Sequence, residues 1–358
     1  MDEKIKQHAD ILVNHSTNIE KGDMVVISAS PEATDLVEEI YKLLGEIGAV
    51  PHLKMRFSEA TRQYYESIDE DNLIESKHSK ALWENADASI SIRSDSNTKS
   101  LRNVSSELLT KNSKINKDMR EARLDTKWVL TQYPSSGNAQ EANMSTREYT
   151  KFVYDAIIND WDKQKEFQEN MREILDEGKE VRIVSGDKTD IQMKIDGMNA
   201  INDYGKHNMP AGEVFTAPVK DSVNGSVLFD MPLITRGREL QNVYLEFEDG
   251  KVVNYNADKN EDILESLLNT DEGAKYLGEL GIGMNRGIDK FTYNMLFDEK
   301  MGDTIHLAIG RAYDDNVGKN REQNMSAVHM DMIVDMSENS YIEIDGEKIQ
   351  EDGKFIFE

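Results

Sequence analysis

Met24-Val-Val-Ile-Ser28 is a short apolar run rich in β-branched residues, followed by the turn residues Ala29-Ser30-Pro31 and by Leu36, Ile40, Leu43 and Leu44 at helical spacing. Gly45 and Gly48 punctuate the end of that helix, and Val50-Pro-His-Leu-Lys-Met55 resumes as a strand. Two strands joined through a helix in this way form a crossover unit, because parallel strands need a long connection. Ala88-Ser-Ile-Ser-Ile-Arg93 and Lys127-Trp-Val-Leu-Thr-Gln132 repeat the strand signal at a spacing that helices would fill. Lys111 to Leu124 and Ser145 to Asp162 carry helical patterns. The first half therefore predicts an α/β domain with an open, mainly parallel sheet.

The turn after the first strand, SASPEAT, has neither the G-x-G-x-x-G of dinucleotide binders nor the G-K-[ST] of phosphate loops. Nucleotide cofactors lose their support. A charged helical stretch, Asp160 to Lys179, then bridges to a different pattern. Runs at 180–185, 189–195, 226–229, 240–247 and 251–255 read as strands, and Asp249-Gly250 and Asp345-Gly346 each sit between strand-like runs as hairpin turns. One helix, Asp262 to Leu268 continuing toward Lys275, interrupts them. The expectation is a β-rich α+β catalytic domain over 166–358 behind an α/β domain over 1–165.

The 358 residues suffice for two domains with substantial cores. There are no cysteines, which removes thiolate nucleophiles, disulfides and thiolate metal cages together. With 68 acidic against 42 basic residues the net charge is -26, so nucleic acid and anionic membranes are disfavoured partners. The segment MDEKIKQHADILVNHS shows no basic leader with an apolar stretch, and no later run is apolar for long enough to span a bilayer; a cytoplasmic protein is expected.

Chemistry-bearing residues concentrate between Glu213 and Asp331, in GEVFTAP, LGELGIG, LFDEK, TIHLAIGRAY and SAVHMDM. Each motif places carboxylates or imidazoles among small or apolar residues, where such groups need a partner to offset their desolvation. A cation shared by several of them is an economical partner. His329 and Asp331 lie two residues apart and so share one face of a strand. Of the 7 histidines, only His306 and His329 have such surroundings. Taken singly, Glu213 also reads as an exposed loop residue, His306 as a satisfied core histidine and Glu299 as part of a surface turn.

The ordered set, from Asn208-Met-Pro-Ala-Gly-Glu-Val-Phe-Thr-Ala-Pro218 to Met325-Ser-Ala-Val-His-Met-Asp-Met-Ile333, resembles the aminopeptidase T and aminopeptidase S family of dinuclear metallopeptidases. That resemblance implies Glu213, Glu279, His306, His329 and Asp331 as ligands of two divalent ions, with Glu279 bridging. It places Glu299 at or beside the metals, as ligand or as acid–base residue, and Tyr313 facing the reaction centre. The spacer Lys300-Met-Gly-Asp-Thr-Ile305 is slightly longer than in the family's pattern. The implied activity is removal of N-terminal residues from peptides, with water activated by two cations (zinc, cobalt, manganese or magnesium), in a homodimer. Two other readings fit the same residues. One is a dinuclear phosphoesterase with Arg286, Arg311 or Arg321 as a phosphate clamp, and the other a binding protein stabilised by structural calcium or zinc.

The acidic composition also suits a salty surrounding, where salt screens the mutual repulsion of surface carboxylates. Thermal unfolding should then move upward between low and molar salt; an unchanged midpoint would contradict the adaptation.

Overall fold

The computed structural model describes residues 2–235 and 238–358, and the chain forms two compact units. The first takes Met1–Asn159 together with Gly205–Pro210. Its sheet runs in the order Val50–Met55, Met24–Ala29, Ala88–Arg93, Lys127–Gln132 and Asn208–Met209, every pair parallel. Helix Thr34–Ile47 makes the first crossover: Leu36, Val37, Ile40 and Leu44 are buried, and Gly48 at φ 85° closes it in the left-handed conformation that glycine adopts without penalty. Helix Thr146–Ile157 starts with a capping box, Ser145 and Glu148 each bonding the other's backbone N–H. The last strand of this sheet comes from beyond the boundary helix, an excursion that no local pattern announces.

The second unit, Asp160–Tyr204 with Ala211–Glu358, opens on helix Trp161–Glu177 and is then dominated by antiparallel strands. One sheet runs Lys251–Asn256, Val243–Glu248, Asn224–Phe229, Thr189–Lys194, Glu180–Ser185, Ser340–Ile344, Glu347–Glu351, Lys354–Phe355. Both Asp-Gly hairpins are present in it, with positive φ at Asp249, Gly250, Asp345 and Gly346, as a two-residue type I′ turn requires. The helix read from Asp262 onward spans Glu261–Leu268, and a separate short turn of helix covers Gly273–Lys275.

The other sheet of this unit runs His329–Asp335, Thr304–Gly310, Leu277–Gly283, Glu213–Thr216, Ile201–Asp203, again antiparallel. Its alternation sorts the sequence onto two faces. Val214, Leu280, Ile282, Ile305, Leu307, Ile309, Met330, Met332 and Val334 join one core with Val181, Ile183, Ile191, Met193, Val227 and Phe229 of the larger sheet. Each such side chain contributes about 1.5–3 kcal/mol on burial. The opposite face carries Glu213 and Phe215, Glu279, Gly281 and Gly283, His306, Ala308 and Gly310, and His329 and Asp331. The apolar half of the pattern holds the strands; the other half is left for chemistry.

Among the described residues no helix is long and apolar enough to cross a membrane.

His8, fully buried in helix Glu3–Asp10, shares a 2.8 Å hydrogen bond between its Nε2 and Thr131 Oγ1, while its Nδ1 has no partner. Burial pushes the imidazole from 6.5 down to about 3, so the folded chain keeps it neutral. Unfolded chains gain a proton below about pH 6.5 that the folded chain refuses, and stability falls with pH between those two values. The wild type should lose about 2 kcal/mol more than His8→Leu between pH 7 and pH 5 in unfolding titrations. Equal pH slopes would contradict this.

Candidate metal centre

Strand register brings the separated motifs together. Gly281 is paired with Phe215 on one side and His306 on the other, Gly283 with Glu213, and Ala308 with both Glu279 and Asp331. Small residues therefore form the floor between the functional side chains. A Cβ at Gly281 would lie 1.9 Å from His306 Nε2, so only glycine leaves room for the ring in this position. Gly212, at φ +116°, packs so closely on Asn285 that a Cβ would come within 2.6 Å of it. Its N–H bonds the Asp203 carbonyl and its carbonyl accepts from Met284 N–H, fixing the entry to the Glu213 strand.

Two ligand groups result. Glu213, Glu279 and His306 can each offer one atom within 4.8 Å of the others, and so can Glu279, His329 and Asp331. Glu279 belongs to both: its Oε1 is 3.2 Å from His306 Nε2 and its Oε2 is 3.4 Å from His329 Nε2. Glu213 Oε2 lies 3.3 Å from His306 Nε2, and Asp331 Oδ1 lies 3.6 Å from His329 Nε2. Glu213, Glu279 and His306 are buried to within 5 % of full occlusion, yet Glu213 Oε2, Glu279 Oε2 and Asp331 Oδ1 have no hydrogen-bond partner. Acceptors left open in the interior cost several kcal/mol unless a cation meets them. His329 Nδ1 is 2.8 Å from the Arg311 carbonyl, which can only accept, so this nitrogen carries the proton and Nε2 is left to ligate.

The electrostatics also call for positive charge. Burial pushes Glu213 up to about 8, against the pull of Lys300. Burial would lower both histidines, but the Glu279 hydrogen bond and the surrounding carboxylates hold His306 at about 9, and Asp331 and Glu279 hold His329 at about 11. Burial would raise Asp331 as well; its contact with His329 keeps it below the usual carboxylate range. Protons on imidazoles thus supply the positive charge that a divalent cation would replace. The donor set of carboxylates and imidazoles, with open oxygens converging, fits such a cation.

Glu299 falls in neither ligand group. It ends the single-turn helix Met295–Asp298, and its carboxylate contacts Lys300 Nζ. Lys300 is fully buried, with Nζ 3.0 Å from Glu213 Oε1. Sequence reading missed it, although a lysine inside the otherwise apolar and acidic LFDEK motif was the available signal. Asp203, also buried, adds a negative charge felt by Glu213 and Lys300. The Tyr313 ring is half exposed at the rim, 4.7 Å centroid to centroid from His329 and edge-on to Phe215. Burial of its hydroxyl end and the charges of Glu279 and Asp331 push its pKa up, so it stays a proton donor.

The proposed phosphate clamp finds no support in these contacts. Arg286 pairs with Glu358 and Asp303, Arg311 with Asp314, and Arg321 with Asp196.

The whole chain, residues 1–358, matches the family described as thermophilic metalloprotease (M29). It is 30% identical to Aminopeptidase AmpS of Bacillus subtilis, over 98% of this chain and 96% of that protein. The structure of wild-type AmpT from Thermus thermophilus superposes with a TM-score of 0.87 over 99% of both chains at 23% identity. A 2,5-dihydroxypyridine dioxygenase from Pseudomonas putida KT2440 shares the fold more loosely, with a TM-score of 0.63 at 11% identity over 99% of this chain and 97% of that one. One architecture thus carries unlike chemistries, and the activity must be argued from the site.

Gly281→Ala should fold with unchanged secondary structure but bind cobalt at least about tenfold more weakly, because the added methyl displaces His306. Wild-type affinity in a calorimetric titration would show that the ring position does not matter.

Proposed function

The chain belongs to the thermophilic metalloprotease family, and on that premise we propose that it is a metal-dependent aminopeptidase that removes N-terminal residues from peptides with two divalent cations. The observation that carries this reading is the pair of ligand groups sharing Glu279, in which Glu213 Oε2, Glu279 Oε2 and Asp331 Oδ1 accept no hydrogen bond. Glu213, Glu279 and His306 would hold one cation, and Glu279, His329 and Asp331 the other. Five carboxylates gather here, Asp203, Glu213, Glu279, Glu299 and Asp331, with Lys300 among them. Two divalent charges added to that lysine balance them.

When bound, the cations would acidify a water, polarise the scissile carbonyl and receive the neutral α-amine of the substrate. The remaining tasks fall to the protein. Glu299, partly open to solvent, would take the proton of the attacking water and pass it to the leaving nitrogen. Tyr313 would donate its hydroxyl proton in a hydrogen bond to the oxyanion that develops on the carbonyl. Arg286, Arg311 and Arg321 are each engaged by carboxylates elsewhere, leaving no clamp for a substrate phosphate, so the peptidase reading is favoured over the phosphoesterase. A homodimer with enclosed sites would explain how folded proteins escape cleavage, and a mass measurement in solution tests it.

The decisive assay uses aminoacyl-anilides and nitrophenyl phosphate. Cobalt- or zinc-loaded protein should release the anilide, stop on chelation and recover when metal is returned, with no phosphate released. Failure on the anilide in every metal would end the proposal. Tyr313→Phe should lower kcat by about 100-fold with metal content unchanged; parallel loss of both would remove Tyr313 from the chemistry.

A further inference from the structure

Lys300 has no exposed side-chain surface, and its main chain is held on both sides. Its N–H donates to the Phe297 carbonyl at 3.0 Å and its carbonyl accepts from Asn285 N–H at 3.0 Å. Taking an ammonium out of water costs several kcal/mol, which only its carboxylate partners offset here. The ammonium divides those partners unequally. Glu213 gives Oε1 to Lys300 and keeps Oε2 turned toward His306, inside a ligand group. Glu299 gives Oε1 to Lys300 and contributes to neither ligand group. An ammonium and a metal ion compete for the same oxygen lone pairs, and a lysine fixed in the interior cannot swing away to release one.

We propose that Lys300 is a positioning residue that holds Glu299 off the cations, reserving that carboxylate for proton transfer, and that restricts Glu213 to one oxygen for coordination. This rests on the two-cation aminopeptidase reading. Removing the ammonium would free Glu299 to fall onto the nearer cation as an extra ligand, with the proton-transfer group lost while metal is retained. With Glu299 held by Lys300 outside both ligand groups, its own replacement should leave the cations undisturbed.

Cobalt titration of wild type, Glu299→Gln, Lys300→Met and the double variant tests this, read by the visible d–d spectrum and by stoichiometry, beside anilide turnover. Glu299→Gln should keep the wild-type spectrum and cobalt affinity within about twofold while kcat drops by about 100-fold or more. Lys300→Met should keep two cobalt ions, change the spectrum, and lower kcat with little change in KM; adding Glu299→Gln should restore the wild-type spectrum. A changed spectrum, or a tenfold loss of affinity, in Glu299→Gln would make Glu299 a ligand and overturn the proposal. So would a spectral change in Lys300→Met that survives in the double variant, which would locate its effect in the cage itself. If Lys300→Met does not fold, Lys300→Gln, uncharged but polar, takes its place in the same comparison. Cobalt-loaded wild type that cleaves no anilide would refute the aminopeptidase reading, and the spectra would still decide the place of Glu299.

Discussion

Buried negative charge on one face of a sheet is the constraint on which the second unit turns. Glu213, Glu279 and His306 are buried, with His329 and Asp331 half-buried beside them, and the carboxylate oxygens converge with donors too few to meet them. Such an arrangement persists only if the rest of the unit holds it. The opposite face supplies that hold, since the strands bearing these residues bury Val214, Leu280, Ile282, Ile305, Leu307, Ile309, Met330 and Met332 in a shared core. Between the charged side chains, Gly281, Gly283, Ala308 and Gly310 keep the floor low. A strand that carries a ligand at one position, a glycine or alanine at the next on that face, and core residues between them serves stability and chemistry with the same seven or so residues.

Much of this was legible in the sequence because two strong periodicities carry it. The crossover from Met24 to Met55 and the alternation around His306 and His329 are local patterns, and each strand read from them is present. Asp-Gly turns announced both hairpins for a similarly local reason, the need for positive φ at two successive residues. What stayed hidden depends on distance in the chain. The excursion of Gly205–Pro210 into the first sheet adds Asn208–Met209 beside Lys127–Gln132, and two residues carry too little pattern to reveal their neighbour. Lys300 was hidden for the opposite reason: lysine is so rarely buried that its neighbours, Asp298 and Glu299, read as a hydrated turn. Its burial becomes intelligible only when Glu213, far away in sequence, is placed against it.

Charges in the centre thus fall into two classes set by what each carboxylate meets. Those within 3.2–3.6 Å of imidazole nitrogens could share a cation with them, and those facing Lys300 are already compensated. Glu213 belongs to both, which ties the fully buried lysine to the ligand groups. Tyr313, its ring tilted against that of His329, stays half exposed at the rim.

Crystals grown with zinc or cobalt, measured by anomalous diffraction at the metal edge, test the central claim most directly. Two peaks are predicted about 3.5–4 Å apart, one among Glu213, Glu279 and His306 and the other among Glu279, His329 and Asp331. A single peak, or metal bound away from Glu279, would contradict the account.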